Sequence, residues 1–133
     1  MGRNKLALIA EPKTIDGAYF KLLLERNGWH AEIVSNATEV IKKLAEKKYS
    51  ILFINSSISI SGGKDIKEKL KQLEKSGQER VKVIGVSSST LEAERIGMME
   101  NGVDYCLKKP VYNSSLEAVL DSFHDSGQML SMA

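Results

Sequence analysis

The residues of this sequence best placed to do chemistry are Glu11, Asn55, Ser87 and Lys109, each standing at or just past the point where a short apolar run gives out. If those runs are strands of one parallel sheet, their carboxyl ends share an edge, and that edge is where ligands bind in open α/β sheets. An acid, an amide, a hydroxyl and an ammonium then meet in one shallow cleft. Glu11 and Lys109 neutralise each other there, and Asn55 offers a weak amide oxygen rather than an anionic one. Other chemistries lack their residues. A dinucleotide site needs glycines in the turn after the first strand, where this chain reads Glu11, Pro12, Lys13. Gly62 and Gly63 are not followed by the Gly, Lys, Ser/Thr order of a phosphate-binding loop, and no Gly-x-Ser-x-Gly elbow occurs. His30, His124 and the single cysteine, Cys106, lack the spacing of a metal site or of a nucleophile and its base.

The elements that must position the four residues alternate along the chain. Leu6 to Ala10 form a first apolar run ended by Pro12, which cannot donate to a ladder. From Thr14, Ile15, Ala18, Tyr19, Leu22 and Leu23 recur at helical spacing and define an expected inward face, with Asn27 and Gly28 as the stop. A second strand over 29–34 leads to a helix capped by Ser35 or Asn36, with Val40, Ile41, Leu44 and Ala45 inward. The continuous run Ile51 to Ile54 reads as a strand buried on both faces. Ser59, Ser61, Gly62 and Gly63 then predict a flexible loop ahead of a helix carrying Ile66, Leu70 and Leu73.

Val81 to Val86 make the fourth strand, and Ser89 with Glu92 has capping-box spacing for a helix that runs to about Asn101, with Gly102 as its stop. Gly97 weakens that helix by about 1 kcal/mol relative to alanine. Val103 to Leu107 give a fifth strand, and Ser114 with Glu117 repeats the capping box before Leu116, Val119, Leu120 and Phe123. Five such alternations predict an α/β, doubly wound domain of parallel strands with helices on both faces. Periodicity leaves the strand order open between a flavodoxin-like arrangement and half of a dinucleotide-binding fold.

Composition sets the class. The 133 residues suffice for one domain with a real core, and 42% hydrophobic against 27% charged residues is the balance of a globular protein. A net charge of +2 is too small to argue for nucleic acid or membrane. One cysteine excludes an internal disulfide, and no apolar run approaches the ~20 residues of a membrane span. A cytoplasmic location is expected.

Across about residues 5–125 the chain resembles the receiver domain of two-component response regulators. The segment Gly102, Val103, Asp104, Tyr105, Cys106, Leu107, Lys108, Lys109, Pro110 is similar to the receiver pattern around its lysine-proline pair, and Gly63, eight residues after Asn55, also falls where that family has a glycine. The resemblance implies a flavodoxin-like fold with strand order 2-1-3-4-5, a cis bond before Pro110, and one receiver-like domain over 1–126 with an unstructured tail, 127–133. It implies that Ala10 and Glu11 stand at the acidic pocket, Asn55 at the phosphoacceptor position, Ser87 and Cys106 at the switch positions, and Lys109 with Pro110 at the lysine-proline position.

The departures from that pattern carry the functional expectation. Receivers pair two acids with an acceptor aspartate to hold Mg²⁺, whereas this chain supplies Ala10, Glu11 and Asn55, so Mg²⁺ binding is expected to be weak or absent. An amide cannot form an acyl phosphate, because nitrogen occupies the place of the nucleophilic oxygen. Ser59 replaces the usual proline, and Cys106 an aromatic residue that swings inward. The expected protein is a non-enzymatic pseudo-receiver of a phosphorelay that acts by protein–protein interaction. The alternative is a phosphorylatable receiver whose acceptor Asp is here replaced by Asn55. The expected partner is a histidine kinase, phosphotransfer or output domain, or a second copy in a homodimer, engaged through the fourth helix, fifth strand and fifth helix, where Met98 and Met99 are candidates for exposure, with a place in the core as the alternative. The lysines Lys64, Lys67, Lys71 and Lys75 share one helix face with Asp65, Glu68 and Glu74 interspersed, so they are not read as a nucleic-acid site.

Overall fold

The computed structural model describes the backbone of residues 4–124 and the side chains through Ser122. The chain alternates β1 (Leu6–Ala10), α1 (Thr14–Arg26), β2 (His30–Val34), α2 (Ala37–Glu46), β3 (Ile51–Asn55), α3 (Ser56–Lys75), β4 (Lys82–Ser87), α4 (Glu92–Glu100), β5 (Tyr105–Lys108) and α5 (Asn113–His124). All strand pairs are parallel, in the order β2-β1-β3-β4-β5. The order left open by periodicity is therefore the flavodoxin-like one. The Lys109-Pro110 bond is cis.

Because successive strand residues face opposite ways, the unbroken apolar runs feed two cores at once. Ala7, Ile9, Ile51 and Phe53 pack with Phe20, Leu23 and Leu24 of α1 and Leu116, Val119 and Leu120 of α5. Leu8, Ala10, Leu52 and Ile54 pack on the other side with Val40 and Leu44 of α2, Ile66 of α3 and Met98 of α4. Phe20 and Phe53 meet with ring centroids 4.7 Å apart. Among the described residues no helix is long and apolar enough to cross a membrane.

Three expectations are corrected. The inward face of α1 is Gly17, Phe20, Leu23 and Leu24, while Ile15, Tyr19 and Leu22 are exposed. This helix is apolar nearly all round, so its spacing does not select a face. Gly17 does, by letting the helix approach Ile33 of β2 to within a methyl's width. Second, Ser59, Ser61, Gly62 and Gly63 are not a loop but lie inside α3, which starts directly behind β3 because the Asn55 side chain caps it through the Ser57 amide. Third, α4 begins at Glu92 behind Leu91, which gives no side-chain cap, and the Ser89 hydroxyl instead accepts the Leu91 amide at 3.0 Å. In α4 Met98 is buried and Met99 exposed. Phe123 and His124 lie outside the described side chains, and the segment 127–133 outside the described residues.

The two glycines of α3 are packing residues. A Cβ on Gly62 would lie 2.3 Å from the Ala37 Cβ, and one on Gly63 2.9 Å from that of Asn101. A Cβ on Gly97 meets nothing within 4 Å. Opposite responses to alanine follow: Gly62→Ala is expected to destabilise by about 1–3 kcal/mol through overpacking, and Gly97→Ala to stabilise by about 0.5–1 kcal/mol. Urea denaturation midpoints check both, and a stabilising Gly62→Ala contradicts the packing account.

Candidate functional site

Glu11 follows β1 directly, and its amide extends the sheet by donating to the Val34 carbonyl at 2.9 Å. The side chain is 6% exposed, so a carboxylate there needs partners. Its Oε1 accepts from Lys109 Nζ at 2.7 Å and from Asn55 Nδ2 at 3.1 Å, and its Oε2 accepts from the Lys13 amide at 3.0 Å. Lys109 reaches a second carboxylate, Asp16 Oδ2, at 2.9 Å. Burial alone lowers the Lys109 pKa, but the hydrogen bonds to Glu11 and Asp16 outweigh it and hold the ammonium above its usual range. Asp16 is held below its usual range, chiefly by the hydrogen bond from Lys109.

Asn55 has two duties that use opposite ends of its amide. Its Oδ1 accepts from the Ser57 amide at 2.9 Å and the Ser57 hydroxyl at 2.7 Å, while Nδ2 donates to Glu11. One orientation of the amide satisfies all three partners. An aspartate makes the cap but cannot make the donation.

The sheet edge thus gathers Glu11, Asn55 and Lys109, and adds Asp16, which the sequence reading passed over. Asp16 lies in the first turn of α1, the helix that rises directly from the site edge, and that position was the available signal. Two carboxylates face one ammonium, so the cleft carries one negative charge where Glu11 and Lys109 by themselves balance. Ser87 goes elsewhere: its hydroxyl donates to Glu94 of α4 and accepts from the Ser89 amide at 3.0 Å, while its carbonyl accepts from the Lys109 amide at 2.8 Å. Ala10 turns its methyl into the α2 and α3 core and presents nothing to the cleft. Cys106 is half-buried against the same core as Met98, and burial pushes its thiol pKa up, with Arg95 opposing.

This donor set does not suit a hard divalent cation. Both oxygens of Glu11 are taken by N–H donors, the Asn55 oxygen points to Ser57, and Asp16 Oδ2 is held by Lys109, whose ammonium bonds both carboxylates of the cleft. Among the described residues no group of three or more acidic, histidine or cysteine side chains is placed to hold a metal ion.

The family model of the response regulator receiver domain matches residues 7–121. This chain belongs to that family. A receiver domain from Methylobacillus flagellatus is 28% identical, with a TM-score of 0.70 over 91% of this receiver and 99% of that chain. The receiver domain of a Pseudomonas aeruginosa sensor histidine kinase, solved with a magnesium ion coordinated in its active-site cleft, is 16% identical, with a TM-score of 0.75 over 91% and 98% of the two chains. That of the Saccharomyces cerevisiae response regulator Ssk1, crystallised with the histidine phosphotransfer protein Ypd1, is 17% identical, with a TM-score of 0.78 over 93% and 91%. Among curated proteins, the hybrid signal transduction histidine kinase K of Dictyostelium discoideum is 21% identical over 119 residues, which are 86% of this receiver and 10% of that protein. The receiver thus spans about a tenth of the length of that relative. Receiver domains are signalling modules of two-component and phosphorelay systems, and this one carries an amide as the residue that caps α3 from the end of β3.

Proposed function

We propose that this domain is a pseudo-receiver, which recognises a protein partner without aspartate phosphorylation. The observation that carries the reading is the double engagement of Asn55, which caps α3 with its oxygen and donates to Glu11 with its nitrogen. An amide at the phosphoacceptor position has no nucleophilic oxygen to form an acyl phosphate. Lys109 and Asn55 occupy Glu11 in place of a cation, so Mg²⁺ binding is weak or absent. Ala10 removes the first acid of the pocket, and Ser87 and Cys106 stand at the switch positions with neither side chain bonded to Glu11, Asn55 or Lys109 among the described hydrogen bonds. Pro110 completes the lysine-proline pair.

The partner is a histidine kinase, phosphotransfer or output domain. The hybrid kinase among the relatives, and the receiver solved with a phosphotransfer protein, support that class. The face formed by α4, β5 and α5 is the docking surface, and Leu91, Ile96, Met99 and Tyr105 are exposed on its elements or beside them. A homodimer uses the same face.

Incubation with a small phosphoryl donor and Mg²⁺ is expected to leave the intact mass unchanged. A gain of one phosphoryl group that maps to the cleft overturns the reading.

A further inference from the structure

The helix α4 is poorly anchored by the usual means. It contributes one buried residue, Met98, and its start lacks a side-chain cap. A cleft of ≈ 190 Å³ opens beneath the loop that leads into it, lined by Ser87, Leu91, Arg95, Met98 and Cys106 among others. Apolar packing therefore does not fix the first turn of α4.

One polar group does reach across. Glu94, in that first turn, accepts from the Ser87 hydroxyl, and that hydrogen bond chiefly holds its carboxyl below the usual range. Ser87 ends β4, and its hydroxyl oxygen also accepts from the Ser89 amide at 3.0 Å, which fixes the hydroxyl at the start of the loop that leads to α4. The Ser87 carbonyl in turn accepts from the Lys109 amide at 2.8 Å, which continues the chain of contacts to the cleft. The far end of α4 is tied to α3 by Asn101 Nδ2 to the Ser59 carbonyl at 3.0 Å and Lys67 Nζ to the Glu100 carbonyl at 3.1 Å.

We infer that Glu94 is a latch: a carboxylate carried on α4 that takes the Ser87 hydroxyl at the end of β4 and so holds the first turn of α4 in one position against the sheet. Glu94 is then a positioning residue for the exposed face of α4. Hydrogen bonds to a charged acceptor are about twice as strong as neutral ones, so a single carboxylate can replace the missing cap and packing. Ser87 is held on the α4 side of the sheet edge, away from Glu11. The consequence for partner recognition rests on the pseudo-receiver reading; the latch itself does not.

Amide hydrogen exchange tests it, on the whole chain and on the variants Glu94→Ala, Glu94→Gln and Ser87→Ala. Exchange across residues 92–98 is expected to rise roughly tenfold in Glu94→Ala, with Glu94→Gln between that and the native rate because one acceptor oxygen remains, and with Ser87→Ala moving the same amides. Combining Ser87→Ala with Glu94→Ala adds less than the two changes made separately, because both break one contact. Amides of β1 and β3 stay within about threefold of native. A rise below about threefold in α4 for both Glu94→Ala and Ser87→Ala, or one shared equally by β1 and β3, overturns the latch. The mass measurement addresses the cleft and the exchange measurement addresses α4, so either can fail without the other.

Discussion

Lys109→Met is expected to lower the unfolding free energy by about 3 kcal/mol, the largest loss of any single change in the cleft. Glu11 is the reason. It is 6% exposed and accepts three hydrogen bonds, of which the one from Lys109 carries the balancing charge. Removing the ammonium leaves a buried carboxylate with neutral donors, and that uncompensated charge costs more than the lost contact itself. The double variant Lys109→Met with Glu11→Gln removes both charges and is expected to recover most of the loss. Urea denaturation of the native protein, the two single variants and the double variant completes the cycle. Losses that simply add would mean the two side chains are independent, against the geometry.

The Asp16–Lys109 pair sets a pH window. Asp16 has a lowered folded pKa, so its contribution is complete above the unfolded aspartate value of about 3.9 and fades as pH falls through the folded one. Lys109 has a raised folded pKa, so its contribution is complete below the unfolded lysine value of about 10.4 and fades as pH rises through the folded one.

Asn55→Asp is expected to be a destabilised protein that Mg²⁺ rescues. The introduced carboxylate keeps the Ser57 cap but loses the donation to Glu11, and sets two like charges where the amide and Glu11 now stand 3.1 Å apart. Repulsion at that distance raises a carboxyl pKa and costs about 1–3 kcal/mol. With Glu11 and Asp16, the cleft then holds three carboxylates against one ammonium, a net charge that a divalent cation cancels. Added Mg²⁺ is expected to raise the thermal midpoint of the variant and not that of the native protein. At a hundredfold excess over the dissociation constant the gain is about 2.7 kcal/mol. The same variant addresses the alternative of a phosphorylatable receiver with a replaced acceptor. If it takes phosphoryl from a small donor, chemistry was lost at one residue; if it does not, Ala10 contributed as well.

The sheet was legible in the sequence because both faces of it are covered. Strands such as Ile51–Asn55 read as unbroken apolar runs, and turn residues such as Gly28 and Gly102, both at positive φ, mark helix ends. Elements failed to show where apolarity did not discriminate or where small residues had a hidden use. On α1 the exposed Ile15, Tyr19 and Leu22 are as apolar as the buried Phe20 and Leu24. In α3 the Ser and Gly run imitates a loop, but it is a packing surface for Ala37 and Asn101. At the site, residues just past strand ends could be found from strand position, whereas Asp16 and Glu94 come from the first turns of the helices that follow, one turn out of reach of that rule.

Titrating Mg²⁺ calorimetrically into the native protein measures whether Lys109 and Asn55 have taken the place of a cation beside Glu11. No saturable binding through the millimolar range is the predicted result, with binding appearing once Asn55→Asp is made. Saturable binding of Mg²⁺ to the native chain at sub-millimolar affinity contradicts it.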